Sequence, residues 1–333
     1  MKKNFIFITG VLLISSFLIS CQKKKEISIN EYGFYTNVSQ AEQIAKDSKK
    51  DIIVIVTMDG DDEYSAPFLA YTKEDDFKEQ VTNNYVVLNL DFSEKSYRQT
   101  VVRQTDSKEA QKKAAAKASE MQESLQYANL LNVQSTPAFY LLTYQEYFVA
   151  EFDTTYVPAN TAQFTELLYS HQEEKNKVKE LASKVVSLNP SQMLKAIDEL
   201  YEYTDYNYRV FLADLIELYI KIDANNSTGL LGKYVYADGE NTALNYLAEH
   251  DYNATVQTYV NLANDKRLTP EYKQKAWFMA ANVLISTGNT DLSQVLQYLN
   301  YAYEADPEGE LTPAVKAIRD SIQLLNSEKQ DSD

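Results

Sequence analysis

Sulfur chemistry is the first thing this sequence lacks: its 333 residues hold one cysteine, Cys21. A lone cysteine makes no internal disulfide and no dithiol pair. Histidine is almost as scarce. The two, His171 and His250, sit on helical patterns, outside any Cys/His metal spacing or recognisable nucleophile motif. The eight glycines include no phosphate-cradling loop. Positive charge is in deficit, with 32 Lys and Arg against 48 Asp and Glu and a net charge of −16. Such a body repels nucleic acid and favours protein or cationic partners. Long apolar runs are missing after residues 5–18, since no later stretch approaches the roughly 20 apolar residues of a membrane span. Neither a cofactor nor a metal is expected.

What is present begins with an export signal. Lys2 and Lys3 give a positive start, and the apolar run at 5–18 is too short for a transmembrane helix. It ends in Leu18-Ile19-Ser20-Cys21, which resembles the bacterial lipobox, where a small residue precedes an acylated cysteine. The resemblance implies cleavage before Cys21 and a palmitate-type lipid on that cysteine. It also implies a chain hung from a membrane of the bacterial cell envelope. Gln22, in place of the aspartate that retains such proteins at the inner membrane, implies the outer membrane facing the periplasm, with surface exposure as the alternative. Lys23, Lys24 and Lys25 make a short basic tether, which either lies on anionic headgroups or serves as a solvated spacer.

The next part alternates strand and helix signals. Residues 41–49 predict a short amphipathic helix, and the β-branched run at 52–57 predicts a strand buried on both faces. An acidic loop with Asp59, Asp61, Asp62 and Glu63 follows, then a helical stretch over 67–82 and a second apolar strand at 85–91. The Ala- and Lys-rich segment 107–130 predicts a long exposed helix. Residues 138–143 and 147–152 read as a hairpin, and helix resumes at Thr161. This order predicts a three-layer α/β/α domain on a central mixed sheet. Beyond about residue 175 strand signals vanish. Leu212, Leu215, Ile216, Tyr219 and Ile220 keep a helical spacing, and short amphipathic segments continue at 244–247, 256–262, 276–285 and 295–303. Pro190, Gly229, Gly239, Pro270, Gly288 and Pro307 are expected to separate them. The pattern predicts an all-α helical-repeat domain.

Two short segments carry a further resemblance. Tyr64-Ser65-Ala66-Pro67-Phe68 follows the buried strand, where a thioredoxin has Trp-Cys-Gly-Pro-Cys. Val133-Gln134-Ser135-Thr136-Pro137 runs straight into a strand, as the thioredoxin cis-proline loop does. The region 33–172 therefore resembles the thioredoxin-like lipoproteins of the bacterial envelope. In that family a helix-mouth cysteine attacks a disulfide and a second cysteine, three residues on, resolves it. Here Ser65 and Phe68 hold those positions, and the strand at 52–56 lacks the family's buried carboxylate. Thiol-disulfide exchange is thereby excluded. The resemblance leaves Thr136 and Pro137 as an edge for an extended chain, with Tyr64 and Phe68 beside it.

The acidic loop suits either a hard cation or the start of a helix, where carboxylates are favoured. Asp223 opens a false calcium loop, because Thr228 stands where glycine is required and Tyr234 where a carboxylate is. Trp277, Ala281, Leu284, Val295, Leu299, Ala302 and Pro307 resemble one tetratricopeptide repeat with a lengthened turn near Gly288. The tyrosines of this half suit protein contacts or half-buried packing.

The sequence thus divides into a leader (1–20), a tether (21–32), a thioredoxin-like domain (33–175), a tetratricopeptide-like domain (176–327) and a disordered tail (328–333). It predicts a redox-inactive envelope lipoprotein, not an enzyme, with a protein-binding, scaffolding or chaperone-like role towards other envelope proteins. The alternative is an accessory in a thiol-disulfide system, or a hydrolase using Ser65 and the acidic loop.

Overall fold

The computed structural model describes residues 27–103, 107–186, 189–288 and 292–330. The expected leader, Cys21 and the first part of the tether lie outside the described residues.

Four strands form one sheet: β1 (Ile52–Thr57), β2 (Val86–Asp91), β3 (Ala138–Leu142) and β4 (Phe148–Glu151), in the order β2-β1-β3-β4. β1 runs parallel to β2 and antiparallel to β3, with Val54 opposite both Leu88 and Tyr140. The β3–β4 pair is the antiparallel hairpin that the sequence predicts. The unbroken β-branched run follows from β1's central place, because both of its faces meet helices. Ile53 and Ile55 join Phe68, Phe139, Leu141 and Phe164 on one side. Ile52, Val54 and Val56 join Ala41, Ala45, Tyr127 and Leu131 on the other. The period of two along the strand sorts them.

The second face is covered by α1 (Val38–Ser48) and α5 (Lys108–Leu130), which start on caps from Asn37 and Ser107. The first face is covered by α2 (Ser65–Tyr71), α3 (Asp75–Phe77) with the π-turn Lys78–Thr82, and α6 (Thr161–Ser170). The single helix expected over 67–82 is broken. The Thr72 hydroxyl donates back to the Leu69 carbonyl, Glu74 is extended, and Asp75 and Asp76 begin a new turn that carries Phe77 into the core. Both sheet edges are occupied. Tyr35 pairs along β2 through Tyr35 N to Val87 O and Asn89 N to Tyr35 O. At β4, the Tyr208 ring stacks 3.6 Å from Phe148 and its hydroxyl donates to Glu151. The backbone of Tyr35 thus extends the β2 edge, and the Tyr208 side chain lies against β4.

The remaining helices are α4 (Glu94–Arg98), α7 (Gln172–Val185), α8 (Pro190–Tyr203), α9 (Ala213–Ile222), α10 (Leu231–Ala248), α11 (Tyr252–Ala263), α12 (Pro270–Ser286), α13 (Leu292–Ala305) and α14 (Thr312–Gln330). A 3₁₀ segment, Tyr206–Leu212, precedes α9. The apolar cluster under the sheet runs across the boundary expected at 175, through Val178, Leu181, Leu194, Leu200 and Ile216 to Tyr234. A second cluster starts at Leu231 and joins α10 to α14. From α10 onward each helix packs on the next. Five of the residues behind the repeat resemblance, Ala281, Leu284, Val295, Leu299 and Ala302, are buried in this cluster.

Gly239, expected to separate helices, lies inside α10. An added Cβ there would meet Leu262 Cδ1 at 2.5 Å, so the missing side chain is what lets α11 close on α10. His171 and His250 occupy helix ends and not helical faces. His171 joins α6 to α7 and stacks 5.0 Å from Phe152, while His250 lies in the α10–α11 turn at φ +59°. The polar end of the chain is helical as far as Gln330, past the start of the expected tail.

Candidate functional site

β1 delivers the chain to the loop before α2, at the end of the sheet where the parallel strands finish. Asp62 organises this loop. Its Oδ1 accepts from Tyr64 N at 2.8 Å and Ser65 N at 2.5 Å, which satisfies two amides at the helix start. Its Oδ2 accepts from Ser65 Oγ at 2.5 Å and from Thr136 Oγ1 at 2.9 Å. Asp62 therefore ties the two segments that carry the family resemblance, although 74 positions separate it from Thr136. Partial burial works against its charge, but the donors from Ser65, Tyr64 and Thr136 outweigh that and hold the carboxyl below its usual range.

The predicted site residues divide between surface and interior. Tyr64 is 52% exposed, and Ala66 and Pro67 are also exposed. Pro67 sits in the first turn, where a missing N–H costs nothing. Ser65 is 0% exposed, and its Oγ both donates to Asp62 and accepts from Met58 N at 3.1 Å. Phe68, at 1%, is set among Phe139, Tyr71 and Phe164 with ring centroids at 4.7, 5.3 and 5.7 Å. The Thr136–Pro137 peptide is cis, and Pro137 is buried. Gln134 and Ser135 remain exposed beside it.

Asp59 and Asp61 of the acidic loop are likewise taken up by bonds within the protein. Asp59 accepts from the Tyr32 hydroxyl at 3.0 Å, and Asp61 accepts from Glu94 N, which starts α4. Burial, reinforced by Asp59, pushes the Tyr32 hydroxyl above its ordinary range. Asp91, at the end of β2, accepts from Asp59 N and from the Ser93 and Ser96 hydroxyls. Among the described residues no three His, Cys, Asp or Glu side chains group as a metal site would need. A recess of about 380 Å³ opens beside Tyr32, Asp91 and Lys95. Lys95 is turned to Glu31 at 3.1 Å. Asp223 likewise serves its own turn, accepting from the Ser227 and Thr228 hydroxyls.

The arrangement offers an exposed Tyr64 and an exposed proline loop, with the Ser65 hydroxyl buried and engaged. Sequence reasoning placed Ser65 and Thr136 in the site but missed the linking role of Asp62. Its position three residues before Ser65 was a signal for its bonds at the start of α2, though not for the one to Thr136.

Residues 230–331, which take in α10 to α14, match a family described as an uncharacterised protein C-terminal domain. No curated protein and no solved structure matches the chain. Among the described residues no helix is long and apolar enough to cross a membrane.

Proposed function

We propose that this chain is a redox-inactive, thioredoxin-like lipoprotein of the bacterial envelope, tethered through Cys21, whose role is to bind or scaffold other exported proteins. The observation that carries the reading is the closed network of Asp62, Ser65 and Thr136 at the start of α2. Such a network has the layout of a disulfide-exchange site, with the Ser65 hydroxyl buried and no sulfur. The strand order, with a parallel pair followed by an antiparallel hairpin, supports the same reading. A hydrolase on Ser65 is disfavoured, since its hydroxyl is buried and engaged on both sides. What remains for function is contact. Tyr64, Pro67 and the 134–135 loop stand exposed beside one another's segments, and a tetratricopeptide-like array follows in the chain.

Photocrosslinking in whole envelopes tests this. A photoreactive residue at Tyr64 or Ser135 is expected to give discrete adducts with exported proteins, while one at Tyr169, exposed near the start of β2 at the other end of the sheet, gives none. The purified protein is expected not to reduce insulin disulfides. Adducts no different from those at Tyr169 would remove the binding reading. Turnover of insulin would remove the redox-inactive one.

A further inference from the structure

Between the end of α5 and the helices α8 to α12 lies a cavity of about 540 Å³, within the size range of small-molecule sites. Its position follows from α10. Positions 237, 241, 244 and 248 fall on one face of that helix by the 3.6-residue period, and all four line the cavity. No element covers this face near its end, so Leu244 and Leu247 stay 41% and 37% exposed, whereas Leu231, Val235 and Ala243 of the same helix are buried. Leu130, Val210 and Met279 complete an apolar wall drawn from three other elements.

Glu240 and Arg209, the acid and the guanidinium group of the wall, are matched within the protein. Glu240, 8% exposed, accepts from the Tyr206 hydroxyl at 2.7 Å and the Tyr236 hydroxyl at 3.1 Å, and Lys275 stands 3.6 Å away. Arg209 lies 4.2 Å over the Tyr201 ring and donates to the Thr204 carbonyl and to Glu202. The charges are therefore spoken for, and a charged ligand would find no free counterion among these groups. Asn241 differs: its Nδ2 is buried and has no hydrogen-bond partner. A buried unpaired donor costs about 1–3 kcal/mol. A small rotation of that amide towards the cavity would give it an acceptor, if a ligand brought one.

We infer that this cavity binds a small uncharged molecule with an apolar, ring-sized body and a carbonyl or similar hydrogen-bond acceptor, the acceptor meeting Asn241. A half-open recess of this volume, walled by several elements, suits a compact ligand better than an extended peptide. The inference stands apart from the proposed role of the Tyr64 and proline-loop surface.

The probe is prodan, an uncharged naphthyl ketone whose emission moves to shorter wavelength in apolar surroundings and to longer wavelength when its carbonyl is hydrogen-bonded. The mature chain without its lipid is expected to bind it saturably at one site, and 2-acetonaphthone should displace it. Leu244→Trp fills the cavity and is expected to weaken binding at least tenfold. Leu247→Trp, at a second exposed position, should act in the same direction, which guards against misfolding of either variant. Asn241→Leu should weaken binding about fivefold, the equivalent of one hydrogen bond of about 1 kcal/mol, and move bound emission to shorter wavelength. Absence of saturable binding by the folded wild type up to millimolar prodan overturns the site. So does binding that both tryptophan variants leave unchanged. Asn241→Leu with unaltered affinity and emission overturns the acceptor assignment.

Discussion

Two regions of this molecule treat their polar and apolar surface in opposite ways. At the mouth of α2, Ser65, Asp62 and Thr136 satisfy one another, and Phe68 is sealed among aromatic rings. Along α10, two leucines stand open to a cavity and a buried amide has no partner. The first region looks like a site by sequence and is closed in the structure. The second attracts no notice in the sequence and is open. A motif places a position in the fold, but only its surroundings decide whether it can act.

A third environment lies where α1, α5 and the hairpin turn meet. Glu42 on α1 lies in the field of Glu146 from the hairpin turn and of Glu123 from α5, with Lys46 paired to Glu146 at 2.6 Å. Burial first, then these carboxylates, push Glu42 up to about 7. Asp214 on α9 is raised by burial and by the same Glu146.

The contrast can be broken or sharpened by substitution. Phe68→Ala removes the ring at the centre of the α2 cluster and is expected to cost about 3–5 kcal/mol in urea unfolding. A loss below about 1 kcal/mol would mean that position 68 is not sealed. Where α1, α5 and the hairpin turn meet, the effect depends on pH. The folded state holds the Glu42 proton more tightly than the unfolded chain, so this group's contribution to stability declines as pH rises from 4.5 to about 7. Glu42→Gln should match the parent near pH 4.5 and exceed it by up to about 3 kcal/mol at pH 8, and parallel pH profiles would contradict the burial of that carboxyl. Gly239→Ala forces a methyl against Leu262 and should destabilise by about 1–3 kcal/mol, overriding the helix preference of alanine. Thermal unfolding that rises instead would show slack between α10 and α11. Ser65→Ala takes away the acceptor of Met58 N and a donor to Asp62, with an expected loss of about 1–2 kcal/mol.

Much of the α/β unit was legible because its signals are local. The run at 52–57 is β1, Ser107 caps α5, and the hairpin ends where Glu146 takes φ +71°. The break after Thr72 was not, because it depends on where Phe77 must go to meet Phe34 and Phe164. The Asp62–Thr136 bond was hidden for a similar reason: no local pattern announces a contact across 74 positions. Gly239 was misread as a breaker because its fit to Leu262 belongs to two helices at once. The cavity was beyond reach, since Leu130, Val210, Leu244 and Met279 come together only in three dimensions.

Thiol accessibility at position 65 goes straight to the closed site. In a mature chain carrying Cys21→Ser and Ser65→Cys, the single sulfhydryl is expected to react with Ellman's reagent only at the rate of local opening, slowly in buffer and fully in urea. Fast reaction of the native protein, at the pace of an exposed low-pKa thiol on a helix start, would contradict the account.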